Sequence, residues 1–119
     1  MITNLLVVGA GGALGSMLRY VIQRGFHSSY FPYGTTAINI SGCLLAGLAA
    51  GALLNTTPQT QLSLFLITGF CGGFTTFSAF SLESVKLMEE GRLLFFCLYI
   101  VISMSAGILA ALLGLKLSM

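Results

Sequence analysis

Residues 69–84, GFCGGFTTFSAFSLES, place glycines and hydroxyl side chains inside an apolar stretch of the chain. Each interior glycine weakens a helix by about 1 kcal/mol relative to alanine. We therefore predict a membrane helix that breaks near its middle, at the cluster Gly69, Gly72, Gly73, Thr75 and Thr76. A break frees carbonyls at the end of one half-helix, which suit a small hard cation, whereas the N-terminal end of the next half-helix suits an anion.

Two phenylalanines and two serines follow the predicted break. Phe77 and Phe80 are three residues apart, as are Ser78 and Ser81, and this spacing places each pair on one face of a helix. Phenylalanines at helical spacing usually pack against lipid or core, but a serine stripe inside a membrane favours a polar track beside them. Ring edges are electropositive and hydroxyls donate hydrogen bonds, so the pattern favours an anion.

Asn39 is the residue of the second apolar stretch that is most unfavourable to place in lipid. A side-chain amide without hydrogen-bond partners there costs several kcal/mol of free energy. Thr35 lies one turn earlier on the same helix face. Two interpretations of Asn39 stay open. It either makes an interhelical hydrogen bond, worth about 1 kcal/mol, or points its amide group into a pore as an anion donor.

The fourth apolar stretch repeats Tyr99, Ser103 and Gly107 at intervals of four residues, which predicts a mildly polar helix face. Ser103 either lines a pore or bonds to the carbonyl one turn back. Together the candidate donors of the pore lining are neutral: Asn39, Thr35, Ser78, Ser81, Ser103 and Tyr99. Several weak donors can replace the water around a small anion and still release it, whereas a fully cationic pore would hold it.

The composition requires a membrane to position these residues. The 119 residues are 56% hydrophobic and only 7% charged, whereas about a quarter of a soluble domain is charged. Four stretches reach the roughly 20 residues that a membrane helix needs, at residues 4–24, 33–54, 61–88 and 93–116. We predict an all-α integral membrane protein whose residues 1–119 form a single four-helix transmembrane subunit.

Close helix packing is predicted from small residues at intervals of four. They are Gly11 and Gly15 in the first stretch, Gly47 and Gly51 in the second, and Ala106, Ala110 and Gly114 in the fourth.

Other classes of protein fit poorly. No nucleophile with a base and no metal-ligand cluster is visible, so we predict that the chain is not an enzyme. The glycines at Gly9 and Gly11 do not complete a dinucleotide fingerprint, because Leu14 occupies the final glycine position. A net charge of +2 is too small to indicate nucleic-acid binding. Three cysteines in apolar stretches predict small buried side chains rather than disulfides or zinc ligands: Cys43, Cys71 and Cys97.

Three motifs, GGALGSMLRY, GTTAINISGCLLAG and GFCGGFTTFSAFSLES, together resemble the Fluc or CrcB fluoride channels. They occur in the order found in that family, and the likeness covers nearly the whole chain. The resemblance implies a four-helix subunit with a broken third helix, assembled in the membrane lipid as an antiparallel dual-topology homodimer with two pores. It implies passive fluoride export across the inner (plasma) membrane by a multi-pass protein, with fluoride as the transported ligand and no nucleic-acid partner.

The resemblance also assigns roles to single residues. Asn39 matches the pore asparagine, and Phe77 and Phe80 match the two pore phenylalanines. Ser78 and Ser81 resemble the polar track of the family.

Further roles follow from the same likeness. Ser103 resembles the serine of the fourth helix. Gly72 and Thr75 match the positions whose backbone carbonyls, from both subunits, resemble a central structural sodium site. Arg19 and Glu83 resemble charged residues near the pore mouths.

Two other functions remain as alternatives. A coupled membrane transporter would be a fluoride/proton antiporter or a small multidrug-type exporter. An exporter of cationic drugs is expected to keep a carboxylate among its helices, and this chain offers Glu83 near the exit of the third. A structural subunit without transport fits the small-residue faces but leaves Asn39 and the serine stripe unexplained.

Overall fold

The computed structural model describes residues 1–26, 31–54 and 60–119. Within these residues all regular secondary structure is helical, as predicted. The elements are α1 (Ile2–Arg24), α2 (Tyr33–Ala52), α3 (Gln61–Ser63), a π-helical segment (Leu64–Cys71), α4 (Gly72–Phe74), α5 (Phe77–Glu89) and α6 (Leu93–Ser118). Residues 27–30 and 55–59, in the first two predicted connections, lie outside the described residues.

Four stretches of the described chain are long and apolar enough to cross a membrane: Ile2–Arg24, Tyr33–Ala52, Gln61–Glu89 and Leu93–Ser118. Their lengths of 23, 20, 29 and 26 residues exceed or match the roughly 20 residues that a hydrocarbon core demands. The four predicted stretches are thereby confirmed to within a few residues at each end. The chain is a multi-pass membrane protein.

Glycines allow the spans to approach each other at backbone distance. A Cβ atom at Gly69 would lie 2.7 Å from the Val8 carbonyl oxygen of α1, and one at Gly73 would lie 2.5 Å from that of Gly12. The pair α2 and α6 meets in the same way, because a Cβ at Gly47 would collide with the Ala111 carbonyl oxygen. The predicted small-residue packing is confirmed at Gly47, whereas the same role of Gly69 and Gly73 was not predicted. Such contact matters because van der Waals packing replaces the hydrophobic drive inside lipid.

The third span is broken, as the sequence predicted, but the break lies after the glycines. Thr75 (φ −80°, ψ 157°) and Thr76 (φ −146°, ψ 119°) are extended, and α4 ends before them while α5 begins after them. Gly72 remains helical at φ −63° and ψ −37°. The physical reason for the difference is packing, because Gly69 and Gly73 face the backbone of α1 rather than relaxing the helix.

The two threonines stabilise the helix ends that they separate. The Thr75 hydroxyl donates to the Cys71 carbonyl one turn back at 2.8 Å. The Thr76 hydroxyl accepts from the backbone N–H of Ala79 at 3.1 Å, which is the N-cap arrangement that satisfies an otherwise unpaired donor. The break is therefore a built element with its own hydrogen bonds.

Candidate functional site

Asn39 closes the break from the neighbouring helix. Its Oδ1 accepts from the backbone N–H of Thr76 at 2.8 Å, and its Nδ2 donates to the Thr76 carbonyl at 3.1 Å. Both backbone groups of the extended residue are thus paired inside a membrane span, where unpaired groups cost several kcal/mol. The interhelical hydrogen bond is confirmed. The amide has a second N–H, so a role as an anion donor stays a prediction.

Arg19 reaches the break from α1. Its Nε donates to the Gly73 carbonyl at 3.2 Å, and its positive charge lies at the C-terminal end of the first half of the third span, where the helix dipole is negative. The resemblance placed Arg19 near a pore mouth. The structure brings it to the carbonyls of the break.

A pocket of about 220 Å³ lies beside the break. Five of its lining residues were predicted as site residues: Asn39, Thr75, Phe77, Phe80 and Ser103. Three more were not singled out as lining residues from the sequence: Cys43, Thr76 and Met104. The ring centroids of Phe77 and Phe80 are 5.8 Å apart. Phe77 is 77% exposed and Met104 is 55% exposed, so the pocket is open on one side.

Ser103 differs from the other serines of the helices. Five of them donate to the carbonyl four residues earlier: Ser16, Ser41, Ser84, Ser105 and Ser118. The Ser103 Oγ is buried and has no hydrogen-bond partner among the described residues. The alternative that Ser103 bonds one turn back is therefore wrong, and the residue lines the pocket with its hydroxyl unpaired.

Tyr99 lies behind the pocket instead of lining it. The side chain is fully buried at 0% exposure, and its ring centroid lies 5.0 Å from that of Phe80 and 5.6 Å from that of Phe31. The Tyr99 hydroxyl is also buried without a hydrogen-bond partner in the described part of the chain. Tyr99 therefore supports Phe80 and leaves a second polar atom unpaired near the same helix face.

Thr35 and Glu83 bind each other. The Thr35 hydroxyl, in a side chain only 1% exposed, donates to Glu83 Oε1 at 2.5 Å and accepts from Gln23 Nε2 at 3.1 Å. This Thr35 hydroxyl proton is thus committed to the carboxylate. Neither residue lines the pocket. Gln23 was not predicted as a site residue from the sequence. Like Asn39, it carries a side-chain amide within an apolar stretch, and this could have singled it out.

The serines of α5 are outside the pocket in the single subunit. Ser78 is exposed and shares a hydrogen bond of 3.1 Å with the Thr76 hydroxyl, and Ser81 is half-buried. Their place on a polar track stays a prediction.

Cys43 lines the pocket but was not predicted to do so. Its position four residues after Asn39, on the same face of α2, could have indicated this.

The carbonyls at the break divide into two groups. Those of Cys71, Gly73 and Thr76 accept hydrogen bonds. Across residues 60–119 no side chain or loop N–H donates to the carbonyl of Gly72 or of Thr75, and Gly72 is exposed at the surface of the subunit.

Comparison with protein families identifies the fold that carries this site. The family model described as CrcB-like protein, Camphor Resistance (CrcB), matches residues 6–115, which include the break and every residue of the pocket. The chain belongs to the CrcB family. The resemblance read from the three sequence motifs is thereby confirmed.

Relatives of this CrcB chain match it over nearly its full length. The fluoride-specific ion channel FluC of Azobacteroides pseudotrichonymphae is 42% identical over 118 residues, covering 96% of this chain and 94% of the relative. FluC of Flavobacterium psychrophilum is 43% identical over 116 residues, with 94% of each chain covered. FluC 2 of Rhodococcus jostii is 45% identical over 117 residues, covering 97% and 98%.

Proposed function

We propose that this chain is a subunit of a fluoride-selective channel that lets fluoride leave the cell passively across the inner membrane. The observation that carries the proposal is the pocket at the break of the third span. Phe77, Phe80 and Ser103 line it together, and the Ser103 hydroxyl has no hydrogen-bond partner among the described residues. Relatives that cover nearly the whole chain are named fluoride-specific ion channels.

The chemistry of the pocket favours a small anion. Its lining residues within the described part of the chain include no Lys, Arg, Asp or Glu, so attraction must come from weak donors. These are the Ser103 hydroxyl, the second N–H of Asn39 and the electropositive ring edges of Phe77 and Phe80. Such an array can replace the water molecules around the ion and still bind the ion weakly enough to release it. Fast conduction requires both.

A second copy of the chain completes the pore in this proposal. The pocket opens toward Phe77, which is 77% exposed and would otherwise face lipid beside an unpaired polar group. We expect the partner to pack antiparallel, as in a dual-topology homodimer, so that two such pockets give two pores. The dimer is expected to be obligate. A monodisperse monomer that still conducts would contradict this.

The residues at the break also fit a structural sodium ion. The carbonyl oxygens of Gly72 and Thr75 are hard donors of the type that small hard cations prefer, and they are not taken by side chains or loop amides in the described chain. Two such oxygens from each subunit would supply four. When bound, the ion would supply positive charge that draws the carbonyl dipoles of both subunits together. Sodium removal is expected to weaken the dimer, as measured by size-exclusion chromatography.

Replacing Ser103 tests the pocket directly. Ser103→Ala is expected to lower fluoride efflux from liposomes by about fivefold, because it removes one donor worth about 1 kcal/mol. Stability should be unchanged or slightly higher, since the lost hydroxyl has no partner in residues 1–26, 31–54 and 60–119. Ser105→Ala is the matched control, because Ser105 bonds to the Val101 carbonyl and is exposed. Equal effects of the two variants on efflux would remove Ser103 from the pathway.

A coupled transporter is the other candidate, and the site gives it little support. Its carboxylate would have to face the pathway, but Glu83 accepts from Thr35 away from the pocket. Fluoride flux is therefore expected to persist when no proton gradient is present. Flux that requires protons moving with or against fluoride would favour the antiporter.

A further inference from the structure

The wall of the pocket formed by α2 and α6 carries two sulfur atoms. Cys43 and Met104 both line the pocket, together with Ser103. The Cys43 sulfur lies 3.5 Å from the position that a Cβ of Gly107 would take, so it reaches across from α2 to the surface of α6. Met104 lies three residues before Gly107 on that surface. Cys43 and Met104 therefore line the same pocket, one from α2 and the other from α6.

The other polar groups of the pocket are largely engaged. Asn39 pairs with the backbone of Thr76, and the Thr75 hydroxyl donates to the Cys71 carbonyl. The Ser103 hydroxyl has no partner among the described residues. Among the described residues of this wall, the side-chain atoms left to bind a cation are thus the two sulfurs and the Ser103 oxygen.

We propose that Cys43 and Met104 form a binding site for a soft d10 metal cation, such as Ag⁺ or Cu⁺, inside the pocket. Thiolate and thioether ligands select soft ions of this kind over hard ones. Among the described residues no group of three His, Cys, Asp or Glu side chains could hold a metal ion, which disfavours zinc and leaves a site of low coordination number. Soft monovalent ions accept such sites.

The binding step also suits a membrane interior. The cation displaces the thiol proton of Cys43, a sulfur–metal bond forms, the proton leaves to water, and no oxidant is needed. The resulting thiolate–Ag⁺ pair is neutral, so it avoids the cost of an unpaired charge in a low dielectric. Because Phe77 and Phe80 line the same pocket, the bound metal occupies the proposed fluoride pathway. This inhibitory role rests on the proposed channel function, whereas metal binding itself does not.

The test uses Ag⁺ on the full-length protein in liposomes, with fluoride and nitrate salts, because chloride would precipitate silver. The background carries Cys71→Ser and Cys97→Ser, since neither cysteine lines the pocket and either thiol would otherwise bind silver as well. In that background micromolar Ag⁺ is expected to stop fluoride efflux, with silver retained on the protein after gel filtration. Adding Cys43→Ser should abolish silver retention and make the variant's own fluoride efflux, measured first without silver, insensitive to Ag⁺. Adding Met104→Leu should weaken silver retention, and the inhibition relative to that variant's own efflux, by about tenfold, as expected when one supporting group is lost.

Two measurements keep the outcomes distinct. Silver retention that is unchanged by both Cys43→Ser and Met104→Leu would overturn the proposed site. Retention that depends on Cys43 but leaves fluoride efflux intact would support the metal site and overturn its inhibitory role. If the protein carries no fluoride flux at all, the channel proposal fails, and retention alone still decides the metal site.

Discussion

Asn39→Asp is expected to abolish fluoride flux. In the structure the Asn39 amide nitrogen donates to the Thr76 carbonyl at 3.1 Å, and a carboxylate oxygen in its place would meet that carbonyl as a second acceptor. The new negative charge would also repel an anion in the pocket. At roughly 5 Å and an effective dielectric constant of 20 this repulsion is about 3 kcal/mol, which lowers flux by about 100-fold.

Asn39→Leu separates the charge from the lost hydrogen bonds. Leucine removes both bonds to Thr76 without adding charge, so the N–H and C=O of the break are left unpaired in lipid. Unfolding should become easier by a few kcal/mol, measured as a lower melting temperature in detergent. Ser41→Ala is the control on the same helix, because Ser41 bonds to its own helix and is exposed. Normal flux through Asn39→Asp would show that the pathway does not pass this amide.

Gly15→Ala is expected to disrupt the contact between α1 and the third span. The added methyl group would collide with the Phe70 carbonyl oxygen and lie 2.8 Å from the Phe74 amide nitrogen. Both atoms belong to backbone, which cannot rotate away as a side chain would. Overpacking of this kind costs typically 1–3 kcal/mol and sometimes more. The expected results are a lower melting temperature and a larger aggregated fraction on size-exclusion chromatography.

Gly9→Ala provides the matched control within the same helix. A Cβ at Gly9 meets no atom within 4 Å, so alanine adds helix propensity of about 1 kcal/mol without a clash. This variant should be as stable as the wild type or more so. If Gly15→Ala is tolerated as well as Gly9→Ala, backbone contact at Gly15 does not hold the two spans together.

The break of the third span shows how far the sequence could be read. Clustered glycines and threonines predicted a break near the middle of the span, and it is there. Within the predicted cluster it lies at Thr75 and Thr76 and not at the glycines. The sequence could not show this, because Gly69 and Gly73 contact the backbone of α1 instead of relaxing the helix. The π-helical turns of Leu64–Cys71 also left no signal, since their register depends on that same contact.

The site was predicted best where chemistry alone limited the choices. Asn39 had to find a partner in lipid, and the structure supplies the backbone of Thr76. Thr35 was predicted as one donor of the pore lining, but its hydroxyl donates to Glu83. That pairing joins residues 48 positions apart and follows from how α2 and α5 pack. Spacing within one helix cannot show which side chain of another helix it meets.

The most direct test of the central claim compares fluoride and chloride efflux from liposomes that contain the purified protein. An uncharged pocket of weak donors at the break is expected to release fluoride rapidly and without a proton gradient. Chloride should leave no faster than from liposomes without protein. Chloride efflux as fast as that of fluoride would contradict the assignment of this pocket as a fluoride pathway.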